Sequence, residues 1–176
     1  MTFAVDVHHI GVPFFIMYVL ADGGSILGGW LSGAFLKKGW GLNKARKITL
    51  LICAIIILPV AYVALTDNQW VAVFLIGLGA AGHQAWSCNI FTLVSDVFPK
   101  KAVASVTGIG GMSGAVAGIV ANFALGQALD SAGKGGFFWA FLIAGSSYLI
   151  ILGLVHLIMP TMKPLDENLK TIETVE

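Results

Sequence analysis

The sequence predicts an all-α protein, a polytopic membrane helix bundle with five transmembrane helices. Of its 176 residues 57% are hydrophobic and 11% charged, with a mean hydropathy of +0.89, whereas a soluble domain carries about 25% charged residues. Five apolar stretches reach the roughly 20 residues of helix that cross a hydrocarbon core about 30 Å thick. They are too long for buried strands, which run about 4–8 residues, and they lack regular alternation.

The first span covers about 10–36, interrupted only by Asp22. The second, 48–66, stops at the turn-like TDNQ of Thr66–Gln69, and the third, 70–96, ends at Asp96 just before Pro99. The fourth, 102–129, follows Lys100 and Lys101, and the fifth, 136–160, follows DSAGKG. Together they read as one domain over 1–176.

Charge orients the bundle. Lys37, Lys38, Lys44, Arg46 and Lys47 separate spans one and two, Lys100 and Lys101 separate three and four, and Lys163 and Lys170 follow span five; the opposite side holds only Lys134. Basic residues collect on the cytoplasmic side, so these segments and the C-terminus are expected there. A net charge of +1 with no basic patch excludes nucleic acid as a partner. Cys53 and Cys88 lie in apolar runs and read as small buried hydrophobes. No signal peptide is expected to be removed ahead of the first span, since no basic n-region, short apolar stretch and small-residue cleavage site are read there. Five is odd, which puts an N-terminus without basic residues outside; the expectation is that the chain is the tail of a longer one whose upstream helix delivers residues 1–9 to the outer face.

Gly77, Gly79 and Gly82 match the dinucleotide fingerprint G-x-G-x-x-G, with Asp96 nineteen residues past Gly77. The fingerprint needs a strand, a tight turn and a separate phosphate-facing helix, whereas here one apolar run passes through the glycines, so no cofactor is expected. Glycine serves helix approach more plausibly. Gly24 and Gly28, Gly29 and Gly33, and Gly110, Gly114 and Gly118 form stripes of small residues at four-residue spacing. Fixed packing and a sliding surface both fit that spacing.

Span three is unusual in carrying His83, Gln84, Ser87, Asn89, Thr92 and Ser95 inside hydrocarbon. Polar groups there must face protein or a water-filled cavity. His83, Trp86 and Ser87 fall at i, i+3 and i+4, with Asn89 three beyond Trp86, and Gln84 and Cys88 widen the flank. Amide, imidazole and indole groups suit a sugar-like ligand, offering donors and acceptors without a permanent charge and one flat apolar face. Taken singly, each could equally be glue between helices; as a cluster they favour a cavity wall, with Trp86 and Asn89 expected to contact substrate. No metal site is expected, because the lone histidine has no second ligand one turn away, and no catalytic constellation suggests an enzyme. Asp22, near mid-membrane by counting, reads either as a functional carboxylate or as a helix contact beside Ser25. Asp96 ends span three and is expected to pair with Arg46 or Lys47 in the neighbouring loop.

The runs ADGGSILGGWLSGAFLKKGWGLNKARK (Ala21–Lys47) and GHQAWSCNIFTLVSDVFPKKAVASVTGIGGMSGAVAG (Gly82–Gly118) resemble the C-terminal half of major facilitator superfamily transporters of the anion:cation symporter family, with a particular resemblance to bacterial hexuronate transporters, which carry glucuronate and galacturonate. The resemblance covers nearly the whole chain. It implies spans eight to twelve of twelve, with span seven and the N-terminal half absent. It further implies a bacterial inner membrane, proton coupling, and alternating access to a site between two halves, with the principal carboxylate-binding and proton-carrying groups in the other half. By the same resemblance the Trp86 helix lines the cavity, the two glycine-striped helices, that of Gly24, Gly28, Gly29 and Gly33 and that of Gly110, Gly114 and Gly118, pack against the other half, and the Gly28–Lys47 segment is a gate element that engages Asp96. The partners implied are a sugar acid, a proton, the lipid bilayer and the N-terminal half; the chain alone is expected not to transport. The alternative is a truncated or structural multi-span membrane protein without transport activity of its own.

Overall fold

A computed structural model describes residues 11–132 and 134–171. Five helices long and apolar enough to cross a membrane follow one another: α1 (Gly11–Lys37), α2 (Leu42–Ile57), α3 (Gln69–Val97), α4 (Lys100–Ala132) and α5 (Lys134–Ile158). The second span continues past α2 as a 3-10 segment, Leu58–Leu65, with Pro59 at its start. Proline has no N–H to donate to the preceding turn, which ends the α-helical ladder there. The expected starts at Ile10 and before, and the C-terminus beyond 171, lie outside the described residues.

Turn chemistry sets the helix ends. After α1 the chain reverses at Gly39, whose φ of +83° favours a residue without a Cβ. Trp40 stacks on Phe35 with ring centroids 4.4 Å apart, and Lys44 sits over the Trp40 ring at 4.6 Å. The TDNQ turn ends in a cap: Asn68 Oδ1 accepts from the N–H groups of Trp70 (2.9 Å) and Val71 (3.4 Å). The segment Asp130–Gly135, expected as a loop, is largely helical, since α4 runs on to Ala132 and α5 opens at Lys134. Gly133 between them lies outside the described residues.

α1 lies parallel to α3 and makes the most extensive contact in the bundle. Gly24 rests on Ala81 and Gly28 on Ala85, so closely that an added Cβ would enter the α3 backbone at both places. In hydrocarbon, where apolar side chains gain little by leaving lipid, such backbone approach holds helices together. The fingerprint glycines lie inside this helix, Gly77 against Leu20, Gly79 against Val60 and Gly82 against Ile57. They are packing positions on one continuous helix.

On its other sides α3 meets α2, the 3-10 segment and, through Trp86, α5. The core is small: Leu50, Cys53, Ala54, Ala85 and Trp86 form one cluster, and Ile57, Val60, Val63 and Ala72 a second. α4 stands apart, with none of its described side chains buried and open space around Gly110, Gly114 and Gly118. Large apolar side chains are exposed all around the molecule, as a lipid-embedded surface requires.

Candidate functional site

The most polar part of the interior lies where α1, α2 and α3 converge at the basic end. Arg46 is only 4% exposed. It sits on α2 itself rather than in the loop where the sequence suggested it, because α2 begins at Leu42, ahead of the apolar run. Its Nε donates to Asp96 Oδ2 at 2.8 Å and its second terminal nitrogen reaches the same oxygen at 2.6 Å. The remaining nitrogen donates to Ser32 Oγ (2.8 Å) and to Asn89 Oδ1 (3.1 Å). Ser32 in turn donates to Gly29 O at 3.1 Å. One guanidinium therefore ties α1 and α3 to α2, and a buried cation so held is matched by charge and by hydrogen bonds together.

Asn89 is 1% exposed and fully engaged. Besides accepting from Arg46, it donates to Gly28 O (3.0 Å) and Ala85 O (2.9 Å). Both Asn89 and Trp86, expected to face a cavity, are buried instead. The physical reason is the rotation of α3, fixed by the contacts of Gly28 with Ala85 and of Gly24 with Ala81: it turns Asn89 towards α1 and α2 and turns Trp86 towards α5.

Trp86 packs edge-on against Tyr148 of α5, with centroids 5.2 Å apart and planes at 82°. The same tyrosine hydroxyl shares a 2.6 Å hydrogen bond with His83 Nδ1. Tyr148 was not singled out from the sequence; the available signal was a hydroxyl beside Ser146 and Ser147 in an otherwise apolar span. Of the remaining flank, His83 and Gln84 are exposed and Ser87 is half-buried. Asp22 is exposed on α1, away from the Ala21, Gly28 and Ser32 face that meets the bundle, and no hydrogen-bond or ion-pair partner is found for it among the described residues.

A second polar assembly joins α2 to the end of α5. Lys47 Nζ donates to Met159 O (2.7 Å) and Pro160 O (2.8 Å) and lies 3.1 Å from His156 Nδ1. It satisfies carbonyls that a helix end leaves open. Beyond α5 the chain folds back along the basic end: Met162 is buried, its N–H donates to Asn43 Oδ1 at 3.3 Å, and Leu165 N–H donates to Val97 O at 2.8 Å. Sequence reasoning missed this strap, because its partners are up to 119 residues apart. Among the described residues no group of three or more His, Cys, Asp or Glu side chains could hold a metal ion.

Residues 1–122 match the family model described as Major Facilitator Superfamily. A hexuronate transporter of Escherichia coli (strain K12) is 34% identical over 117 residues, 65% of this chain and 27% of the relative. A probable galactarate/D-glucarate transporter of Bacillus subtilis (strain 168) is 27% identical over 137 residues, 74% of this chain and 30% of the relative. An uncharacterized transporter of the same organism is 26% identical over 156 residues, 88% of this chain and 35% of the relative. The chain thus spans about a third or less of the length of these relatives. With five membrane-spanning helices and a family match over more than two thirds of its residues, the chain belongs to the major facilitator superfamily, a family of transporters and not of enzymes.

Proposed function

We propose that the chain is the C-terminal part of a proton-coupled symporter for a sugar acid such as glucuronate or galacturonate, working by alternating access in a bacterial inner membrane. The relatives support the substrate class, since hexuronate, galactarate and D-glucarate are all polyhydroxy carboxylates. In this reading the basic end and the C-terminus are cytoplasmic, and seven further spans complete the transporter. Asp22 supports an additional covering element, because an exposed carboxylate within a span is expensive unless protein or water meets it. The unburied α4, with Gly110, Gly114 and Gly118, supports the same conclusion.

The observation that carries the mechanism is the Arg46–Asp96 pair. It clamps the cytoplasmic ends of α2 and α3 in one state, with Ser32 and Asn89 holding the guanidinium, and opens in the other. A pair at a helix junction biases a two-state equilibrium by as much as its strength differs between the states. His83, Gln84 and Ser87 form the wall nearest the solute, Trp86 backs that wall through Tyr148, and Asn89 serves the clamp. Lys47 serves the same end through its hold on α5.

The test is uptake into proteoliposomes holding the chain together with the complementary seven spans. Labelled glucuronate, galacturonate, galactarate and glucarate are offered with and without an inward proton gradient. Gradient-dependent uptake of at least one is expected; uptake of none defeats the substrate assignment. For the clamp, Asp96→Arg and Arg46→Asp are each expected to abolish uptake and the double exchange to restore part of it. A double exchange no better than either single change ends the clamp idea.

A further inference from the structure

Between α2 and α5, at the basic end, lies a groove of about 550 Å³. Its mouth is lined by Asn43, Lys44, Lys47 and His156, and its floor, running towards the membrane interior, by Ile48, Leu51 and Leu152 with Gly153. No carboxylate lines it. The partners of Lys47 are two carbonyls and an imidazole nitrogen, which satisfy its N–H groups without cancelling its charge. Lys44 is exposed, with the Trp40 ring as its neighbour. The groove thus carries two cationic groups at the level where lipid headgroups lie and an unbroken apolar floor below them.

We infer that this groove binds one anionic phospholipid, its phosphodiester between Lys44 and Lys47 and an acyl chain along Ile48, Leu51 and Leu152. Basic pockets between helices at the cytoplasmic face suit such headgroups, and each lysine close to an anionic headgroup favours it by about fivefold. A zwitterionic lipid offers the same chains, but its own ammonium opposes the lysines. A soluble phosphate offers the charge but gains nothing from the floor. Lipid binding in this groove requires only that the chain lie in a membrane and not that it carry a sugar acid, so either can fail alone.

The test is native mass spectrometry of the purified 176-residue chain released from micelles doped equally with phosphatidylglycerol and phosphatidylcholine of identical chains, with glycerol phosphate as a chain-free probe. One retained phosphatidylglycerol is expected, preferred about twenty-five-fold over phosphatidylcholine by the two lysines. Lys44→Gln should cut that preference about fivefold while leaving phosphatidylcholine retention unchanged. Gly153→Leu should lower retention of phosphatidylglycerol by filling the floor, and nothing lies within 4 Å of the added Cβ. Equal retention of the two lipids, displacement of phosphatidylglycerol by glycerol phosphate at comparable concentration, or unchanged retention in Gly153→Leu would each overturn the inference.

Discussion

Asn89 spends its carboxamide on three partners from three helices, Arg46 on α2, Gly28 on α1 and Ala85 on its own α3. Removing the amide leaves buried groups without partners, a loss of about 1–3 kcal/mol. Asn89→Ala is therefore expected to lower the melting temperature of the purified chain in detergent, whereas Gln84→Ala, at an exposed position, should leave it within error. Equal melting temperatures for the two variants would show that the Asn89 bonds add nothing to the fold. Arg46→Ala should be worse, since breaking a buried pair costs about 3–5 kcal/mol, discounted here because Asp96 keeps 27% of its side chain exposed. Glycine gives a second residue-scale contrast. Gly28→Val places a Cβ about 2.5 Å from the Ala85 Cβ, and forcing atoms into a packed contact typically costs about 1–3 kcal/mol. Gly114→Val meets open space, so its melting temperature should match that of the parent. A loss of folding in Gly114→Val comparable to that in Gly28→Val would contradict the assignment of the two stripes to different tasks.

At the scale of elements, α3 and α4 are opposites. The first carries two faces of contact and is covered by α1, α2, the 3-10 segment and α5, and the second leans on α3 and α5 with no buried side chain among those described. Segments with few buried contacts open at low free energy. Amide exchange followed by mass spectrometry in detergent should therefore label α4 well before α3, and adding the complementary spans should slow α4 more than α3. Uniform exchange along the two helices would contradict this picture. The start of α3 gives a smaller, sharper test: Asn68 caps two N–H groups, and losing such a cap costs about 1 kcal/mol. Asn68→Ala should lower the melting temperature modestly, while Asn68→Asp should retain most of it.

For the whole molecule, the three segments rich in Lys and Arg meet at one end. The pairs Arg46–Asp96 and Lys101–Glu167, with the Lys47 contacts to Met159 and Pro160, draw them together. That end is expected in the cytoplasm. With Cys53 and Cys88 replaced by alanine, a cysteine at position 44 should resist an impermeant thiol reagent added to intact cells, and a cysteine at position 67 should react. Labelling at position 44 alone would invert the bundle. Replacing Met162, buried where the C-terminal strap crosses the basic end, by a charged residue should release the strap and expose Leu165 to proteolysis.

Five helices were readable directly, because span length and hydropathy are properties of consecutive residues, and a bilayer admits few other structures for such runs. The pairing of Asp96 with Arg46 or Lys47 was readable because the basic cluster and Asp96 lie at ends that the charge asymmetry assigns to one side; the structure selects Arg46, from within α2. The partners of Asn89, the edge-on contact of Trp86 with Tyr148 and the strap along Asn43 and Val97 were not. Each depends on the rotation of a helix about its own axis, and a broad polar flank leaves that rotation undetermined. Gly24 and Gly28 set it by admitting the α3 backbone at Ala81 and Ala85, a contact between residues 57 apart in the chain. Local composition determined the five membrane-crossing helices found among the described residues; only packing in three dimensions decided where some of them begin and end and which polar groups are spent on each other.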